Sequence, residues 1–383
     1  MHVVINATVT SQREKTGIAV FTENLIKAMC EQERDNIYDV FTLQSPVLKK
    51  PSEQILKVHS LPVIFSKLPA KLSWACWYAW YYTAFNMQLD RMKPDVYLSF
   101  DFTVPGYHRC PAICMIYDLT PLLFPETYPE HFRIRFGKQV AHAVKNTERL
   151  VTISQAVKKD IQKYYNVGPE KIDVIYPGYD EKKFTVEGDK NVDKAVLSRL
   201  GIKLPYVLFL GTMEKKKNIP RLIEAYNIVR ENSSIIHKLV LGGKRDWNDS
   251  DIFESITHSP VAEDINYIGY VPHDDLPSVM RNADLFVFPS LNEGFGRPPL
   301  EAMACGVPVI TSRVSALPEV VGDAGILIDP YNVDEIAQAI VNVLSNRELR
   351  QNMVRKGLDQ ARLFSWRKAA ADMLSILSSV SGR

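Results

Sequence analysis

The chain is short of cysteine, of net charge and of complete phosphate-binding glycine motifs, and each shortage excludes a class of protein. Its five cysteines, Cys30, Cys76, Cys110, Cys114 and Cys305, are odd in number and scattered. They make no disulfide framework, and Cys110 and Cys114 lack further Cys or His at zinc spacing, so neither a disulfide scaffold nor a metal site is expected. A reducing, cytoplasmic compartment is the expectation. Charge is nearly balanced, 46 basic against 44 acidic side chains, and the net charge of +2 excludes a nucleic-acid binder by bulk electrostatics. The start, Met1-His2-Val3-Val4-Ile5-Asn6, reads as a short strand and lacks the long apolar region of a signal peptide. Two glycine motifs begin and stop short. After Gly294-Phe295-Gly296 the dinucleotide-fingerprint position holds Pro299, and Gly242-Gly243-Lys244 is followed by Arg245, which breaks a Walker loop.

Length and apolar content then set the architecture. At 383 residues the chain suits two domains, and 46% hydrophobic residues supply a core for each. Strand patterns recur at Val3-Val4-Ile5, Tyr38-Asp39-Val40-Phe41, Asp95-Val96-Tyr97-Leu98, Ala112-Ile113-Cys114-Met115-Ile116 and Leu150-Val151-Thr152-Ile153, with helical segments between several of them. Such alternation predicts a doubly wound parallel sheet, whose ligands bind beyond the carboxyl ends of the strands. That rim carries the Gly17 loop, Tyr117-Asp118 and Ser154. A polar stretch at 185–194 reads as a linker. A second α/β series follows, with strands at Tyr206-Val207-Leu208-Phe209-Leu210, Lys238-Leu239-Val240-Leu241, Ile265-Asn266-Tyr267-Ile268, Asp284-Leu285-Phe286-Val287-Phe288, Val309-Ile310 and Gly325-Ile326-Leu327-Ile328.

The most informative stretch is Pro289-Ser290-Leu291-Asn292-Glu293-Gly294-Phe295-Gly296-Arg297-Pro298-Pro299-Leu300-Glu301. It joins an uninterrupted apolar strand, the pattern of one buried on both faces, to a short helix opening at the proline pair and closing at Gly306. Gly294 and Gly296 permit close backbone approach, and the free amides of a helix's first turn suit phosphate. Glu293 and Glu301 flank that site. A carboxylate would repel phosphate, so these two read as acceptors for sugar or ribose hydroxyls. The plain alternative is that Glu301 only complements a helix dipole, for about 0.3–1 kcal/mol, and that the glycines serve a tight turn; the residue pattern favours the binding reading over it. Across from this turn, the strand ending at Gly211 leads into Thr212-Met213-Glu214-Lys215-Lys216-Lys217-Asn218. Lys217 and Lys216 are placed to meet a diphosphate, and Lys215 to face water.

Eighteen residues from Leu72 to Leu89 carry no charge and are dominated by Trp and Tyr. Spanning a membrane takes about 20 mainly apolar residues, and Trp and Tyr favour the interface. Two readings stay open: a segment resting on a membrane surface, aided by basic residues within 67–93, or an aromatic helix packed on its own domain or a second subunit.

Taken together, Gly211-Thr212-Met213-Glu214-Lys215-Lys216-Lys217-Asn218, Gly269-Tyr270-Val271-Pro272, Glu293-Gly294-Phe295-Gly296, Leu300-Glu301-Ala302-Met303, Gly306-Val307-Pro308-Val309 and Leu317-Pro318-Glu319-Val320-Val321-Gly322-Asp323 resemble family 4 retaining glycosyltransferases of the GT-B fold. Ile116-Tyr117-Asp118-Leu119-Thr120-Pro121 and Ser154 extend the likeness into the first half. The resemblance implies two Rossmann-like domains facing across a cleft: 1–185 on the acceptor side, with 367–383 crossing back to it, and 186–366 binding the nucleotide sugar. It implies Glu301 on the ribose, amides around Gly294, Phe295 and Gly296 on phosphate, Glu293 on the donor sugar, Lys217 on the leaving diphosphate, and backbone near Val271 on the base. Gly17 would let its loop approach the phosphate. No cofactor or metal is implied beyond the nucleoside diphosphate sugar itself.

Two departures stand out. Thr212 replaces an arginine common after the strand-ending glycine. Tyr117 stands where the family places a histidine facing the reacting sugar; as a catalytic-site residue it can still donate a hydrogen bond, but a tyrosine cannot act as a base near neutral pH without a large shift. Asp118 or the donor phosphate would then take the acceptor's proton. The motif forms look most like mannosyl- and rhamnosyltransferases of surface polysaccharide assembly, which points to GDP-mannose and a glycan or lipid-linked acceptor, with the enzyme cytoplasmic or peripheral on the membrane's inner face. Two rival readings are a nucleotide-sugar-binding protein that has lost catalysis and another GT-B enzyme, such as an epimerase or a phosphorylase.

Overall fold

The computed structural model describes residues 1–11, 17–42, 56–60, 81–106, 109–246 and 249–382. They form two compact units, one made of Met1–Gly178 with Trp366–Arg383 and the other of Tyr179–Ser365. Each is built on its own parallel sheet.

The first sheet contains β1 (His2–Asn6), β2 (Ile37–Thr42), β3 (Leu56–Ser60), β4 (Val96–Ser99), β5 (Ala112–Ile116), β6 (Arg149–Thr152) and β7 (Ile172–Val174), in the order β3-β2-β1-β4-β5-β6-β7. Its central strands are apolar at nearly every position because helices cover both faces. Val3, Val4, Ile5, Ile113 and Met115 are fully buried. The one charge within β2, Asp39, is tolerated because His2 and His59, from the strands on either side, each approach its carboxylate to 2.6 Å. The helix Gly17–Gln32 packs against the terminal helix Trp366–Ser381, where the Phe21 and Trp366 rings lie 5.6 Å apart and Gln32 donates to the Arg367 carbonyl.

The aromatic stretch lies outside the described residues in its first half, 72–80. Its end does not: Tyr81, Phe85 and Leu89 are buried in the first unit's core, and the Tyr81 and Phe85 rings stack at 5.1 Å. Packing on its own domain therefore accounts for Tyr81, Phe85 and Leu89, while Met87 between them is exposed. Among the described residues no helix is long and apolar enough to cross a membrane.

The second sheet runs β10-β9-β8-β11-β12-β13, from β8 (Tyr206–Leu210), β9 (Lys238–Gly242), β10 (Ile265–Gly269), β11 (Leu285–Phe288), β12 (Val309–Ser312) and β13 (Ile326–Ile328). The polar stretch read as a linker belongs to this unit and is partly helical. Asp189 caps the helix Lys190–Arg199 by accepting from the amides of Asn191 and Val192, and its buried side is only Asp193, Val196 and Leu197. So narrow an apolar stripe leaves a segment that looks like loop in composition. Arg281 fastens it from below, bonding the Thr185 and Glu187 carbonyls and pairing with Asp193 at 3.0 Å.

Candidate active site

The second sheet reverses its strand order between β8 and β11. Loops leaving two such strands diverge, and the crevice they leave at the carboxyl ends is where doubly wound sheets take ligands. Both motif-bearing loops end there. After β8, residues Lys215–Lys217 make one 3-10 turn, and Asn218 follows with φ +61. Asparagine tolerates this left-handed backbone better than most residues. Its buried amide nitrogen donates to the Pro289 carbonyl (3.1 Å) and the Pro330 carbonyl (2.6 Å), pinning the lysine loop to the ends of β11 and β13. The Leu291 amide bonds the Lys216 carbonyl at 2.7 Å and closes the two loops on each other. Asn218→Ala should therefore cost about 1–3 kcal/mol, the penalty of buried carbonyls left without donors, read as a lower urea midpoint with weaker donor binding. An unchanged midpoint would show that the pin is dispensable.

Lys217 and Glu293 meet across the crevice at 2.6 Å, each side chain 11% exposed. Glu214 lies 3.7 Å from both Lys217 and Lys216, and the Lys217 ammonium sits 5.1 Å from the centre of the Phe288 ring. Burial pushes the Glu293 carboxyl up, but the charges of Lys217 and Lys216 and the Lys217 bond outweigh it and hold the group below its ordinary value. Glu293 is thus an ionised acceptor. Lys217 has three N–H bonds and gives one to Glu293, leaving donors for an anion. Lys215 turns outward as expected, 42% exposed and 3.1 Å from Asp251.

The turn after Glu293 is fixed by Gly296, φ +114, where an added Cβ would stand 2.7 Å from Leu317. The helix that follows, Arg297–Ala304, opens one residue before the proline pair. Pro298 and Pro299 carry no N–H, so the helix end offers the amides of Gly296 and Arg297 rather than a full first turn. Sequence reasoning missed Arg297: its guanidinium donates to Glu301 at 2.7 Å, and Glu301 is only 4% exposed. The i, i+4 spacing of that pair was the available signal. Phe295 is buried with its ring 5.5 Å from Phe364, so any contact it makes with phosphate is through backbone. Val271 is also buried, beyond β10. Gly211 ends β8, its amide bonded to the Gly242 carbonyl, and Thr212 follows it.

In the first unit, Tyr117 directly follows β5 and is 4% exposed, between the rings of Phe21 (5.6 Å) and Phe102 (5.8 Å), with its hydroxyl 3.4 Å from that of Thr22. Burial pushes its hydroxyl far above the ordinary phenol range. It is a packed ring and not a general base. Asp118 is partly exposed and accepts from the Thr120 amide at 2.9 Å. Ser154 caps the helix Gln155–Tyr165 by accepting from the Val157 amide, a structural duty. Gly17 is exposed at the start of its helix, and a Cβ there would meet nothing within 4 Å. Among the described residues nothing demands glycine at that position; the loop before it, 12–16, lies outside them. Among the described residues no group of three His, Cys, Asp or Glu side chains is arranged to hold a metal.

Comparison with known proteins agrees with this geometry. Residues 198–360 match the family described as "Glycosyl transferases group 1", and residues 15–183 match "Glycosyltransferase Family 4". The O-antigen chain mannosyltransferase B of Escherichia coli is 33% identical over 288 residues, 74% of each chain. A D-inositol 3-phosphate glycosyltransferase of Paenarthrobacter aurescens is 30% identical over 286 residues, 73% of this chain and 68% of that one. Among solved structures, a sucrose-phosphate synthase from Thermosynechococcus elongatus superposes with a TM-score of 0.78 at 17% identity, over 100% of this chain and 99% of that one, a likeness of fold. The paired parallel sheets, the lysine and glycine loops at the sheet reversal, and these matches make the chain a GT-B glycosyltransferase of family 4.

Proposed function

We propose that this enzyme is a retaining mannosyltransferase that moves mannose from GDP-mannose to a hydroxyl of a glycan or lipid-linked glycan in surface polysaccharide assembly. The observation that carries the reading is the Lys217–Glu293 pair at the reversal of the second sheet, a cation and an ionised acceptor 2.6 Å apart. The choice of mannose rests on the 33% identity to the O-antigen chain mannosyltransferase.

Glu293 accepts from hydroxyls of the donor sugar, and Glu301 from the ribose. Lys217, Lys216 and the amides of the glycine turn meet the charge that grows on the diphosphate as the bond to the anomeric carbon breaks. Preorganised donors of this kind contribute several kcal/mol at about 2.7–4 kcal/mol each, so a divalent ion is not required. The acceptor oxygen bonds to the anomeric carbon on the face the diphosphate leaves, and its proton passes to the departing phosphate oxygen. Buried Tyr117 cannot take that proton; Asp118, partly exposed, orients the acceptor.

Calorimetry and a GDP-release assay over a panel of nucleotide sugars test this. GDP-mannose should bind and turn over with EDTA present, and Glu301→Ala should raise its KM about tenfold or more, the loss of a hydrogen bond to a charged group. Turnover with UDP-sugars alone would overturn the choice of donor. The buried Tyr117 favours one rival, a nucleotide-sugar-binding protein without catalysis, and GDP binding with no release across an acceptor library would establish it.

A further inference from the structure

The first sheet also reverses its order, between β1 and β4, and there a second cluster of polar groups converges on one carboxylate that the proposed chemistry leaves unused. Asp101, just past β4, accepts through Oδ1 from Asn6 Nδ2 (2.9 Å), Ser99 Oγ (2.9 Å), the Thr103 amide (3.0 Å) and the Thr103 hydroxyl, and through Oδ2 from the Thr8 hydroxyl (2.5 Å). Thr103 is held in addition by Tyr81, whose buried hydroxyl donates to its carbonyl at 3.0 Å. The two bonds from Thr103 tie together the chain on either side of one residue, Phe102, and the other three fix Asp101 itself.

Phe102 has φ +64. A bulky side chain is rarely found in this left-handed region, and such residues persist only where their surroundings over-determine them. Its ring packs against the first unit's apolar core, on a backbone that costs about 1–3 kcal/mol to hold. Its ring meets those of Tyr117 (5.8 Å, 85°) and Phe136 (5.3 Å, 74°) edge to face and remains partly exposed at the rim. Asp118 follows Tyr117 directly, so a carboxylate shares this strand-end rim with the aromatic ring. An aromatic surface with one carboxylate nearby suits a pyranose, which presents an apolar C–H face to the ring and hydroxyls to the acid.

We propose that Phe102 is the platform on which the acceptor sugar rests and that Asp101 is the positioning residue that holds it there; the acceptor role rests on the glycosyl-transfer reading above. The substitution Phe102→Gly removes the ring at a backbone position glycine adopts freely, so the fold is expected to persist, as Tm will report. Saturation-transfer NMR with methyl α-D-mannopyranoside, on the whole chain with and without GDP, measures the site. Wild type and Phe102→Tyr should bind saturably, and Phe102→Gly should bind about tenfold or more weakly, as loss of one buried apolar contact implies. Asp101→Asn should weaken binding when Phe102 is present and add nothing in Phe102→Gly; a merely structural Asp101 would weaken both backgrounds. No saturable binding by wild type, or equal binding by Phe102→Gly, overturns the proposal. Calorimetry with GDP separates the two readings: a wild type that fails to bind GDP contradicts the donor site, whereas the glycoside result bears on Phe102 alone.

Discussion

Lys217→Ala is expected to lower the rate of transfer by about 10²–10³-fold, the loss found when one preorganised donor to a developing oxyanion is removed. The same substitution should destabilise the fold, for a separate reason. It leaves Glu293, 11% exposed, without the ammonium 2.6 Å away, and breaking a buried ion pair costs about 3–5 kcal/mol. Protonation sets a ceiling. Protonating, and so neutralising, an ordinary glutamate at pH 7 costs about 4 kcal/mol, 1.36 for each of about 2.7 pH units. The sign of the pH dependence follows. Glu293 has a folded value held below its unfolded one, so its contribution is present above about pH 4.3 and is lost as pH falls through the depressed value. In Lys217→Ala the burial that pushes this carboxyl up is opposed by the charge of Lys216 without that of Lys217, so the variant takes up a proton above about pH 4.3 where wild type does not, and its deficit should shrink on acidification from pH 7 toward pH 4. Lys217→Ala/Glu293→Gln should be more stable than Lys217→Ala alone at pH 7 and equally inactive. Urea denaturation at several pH values and a GDP-release assay measure both effects. A variant with near-normal turnover, or a deficit constant with pH, would remove Lys217 from the site.

The donor half of the site was legible because its chemistry is local in the chain. Glu293, the glycine turn and Glu301 fall within nine consecutive positions, and the lysine loop is one short run. What the sequence hid depends on neighbours far away in it. Asn218 reads as part of a motif, yet its work is done on carbonyls at 289 and 330. Asp101 has no periodicity or motif to announce it; its donors come from positions 6, 8, 99 and 103, which only the adjacency of β1 and β4 assembles. The strands β3 and β7 escaped the pattern for a different reason. Both are edge strands, Leu56–Ser60 with Lys57 and His59 and Ile172–Val174 with Asp173, so neither needs an unbroken apolar run. The helix at Lys190 was hidden by its polarity, since it buries only one narrow side. The chemistry of a phenol shows in the sequence at Tyr117, whereas its burial between Phe21 and Phe102 depends on residues far away in the chain.

Gly243→Ala is expected to be the most damaging single-methyl change in the second unit. The sequence presents Gly243 only as half of a failed Walker loop, but it is the residue on which the ends of three strands close. Its amide donates to the Gly269 carbonyl at 2.7 Å, Gly242 accepts from the Gly211 amide at 3.0 Å, and Lys244 accepts from the Met213 amide at 2.8 Å. With φ +151, it occupies backbone that other residues rarely adopt, and an added Cβ would lie 1.7 Å from the Gly211 carbonyl oxygen. That atom is backbone, so no rotamer change relieves the clash. Either Gly211 moves, dragging the loop that carries Thr212, Lys216 and Lys217, or the ends of β9 and β10 separate. Overpacking costs about 1–3 kcal/mol and backbone strain about 1–3 kcal/mol, so the sum is a large part of a domain's usual 5–15 kcal/mol. Gly269→Ala is the matched control. It shares positive φ, +70, but its Cβ would meet nothing within 4 Å, so it carries strain without the clash. Thermal melts should rank wild type above Gly269→Ala and both well above Gly243→Ala, and GDP affinity in whatever fraction of Gly243→Ala folds should fall with the displaced lysine loop. Equal melting temperatures for the two variants would mean that the backbone at Gly211 yields without cost, and that the lysine loop is not fixed from behind.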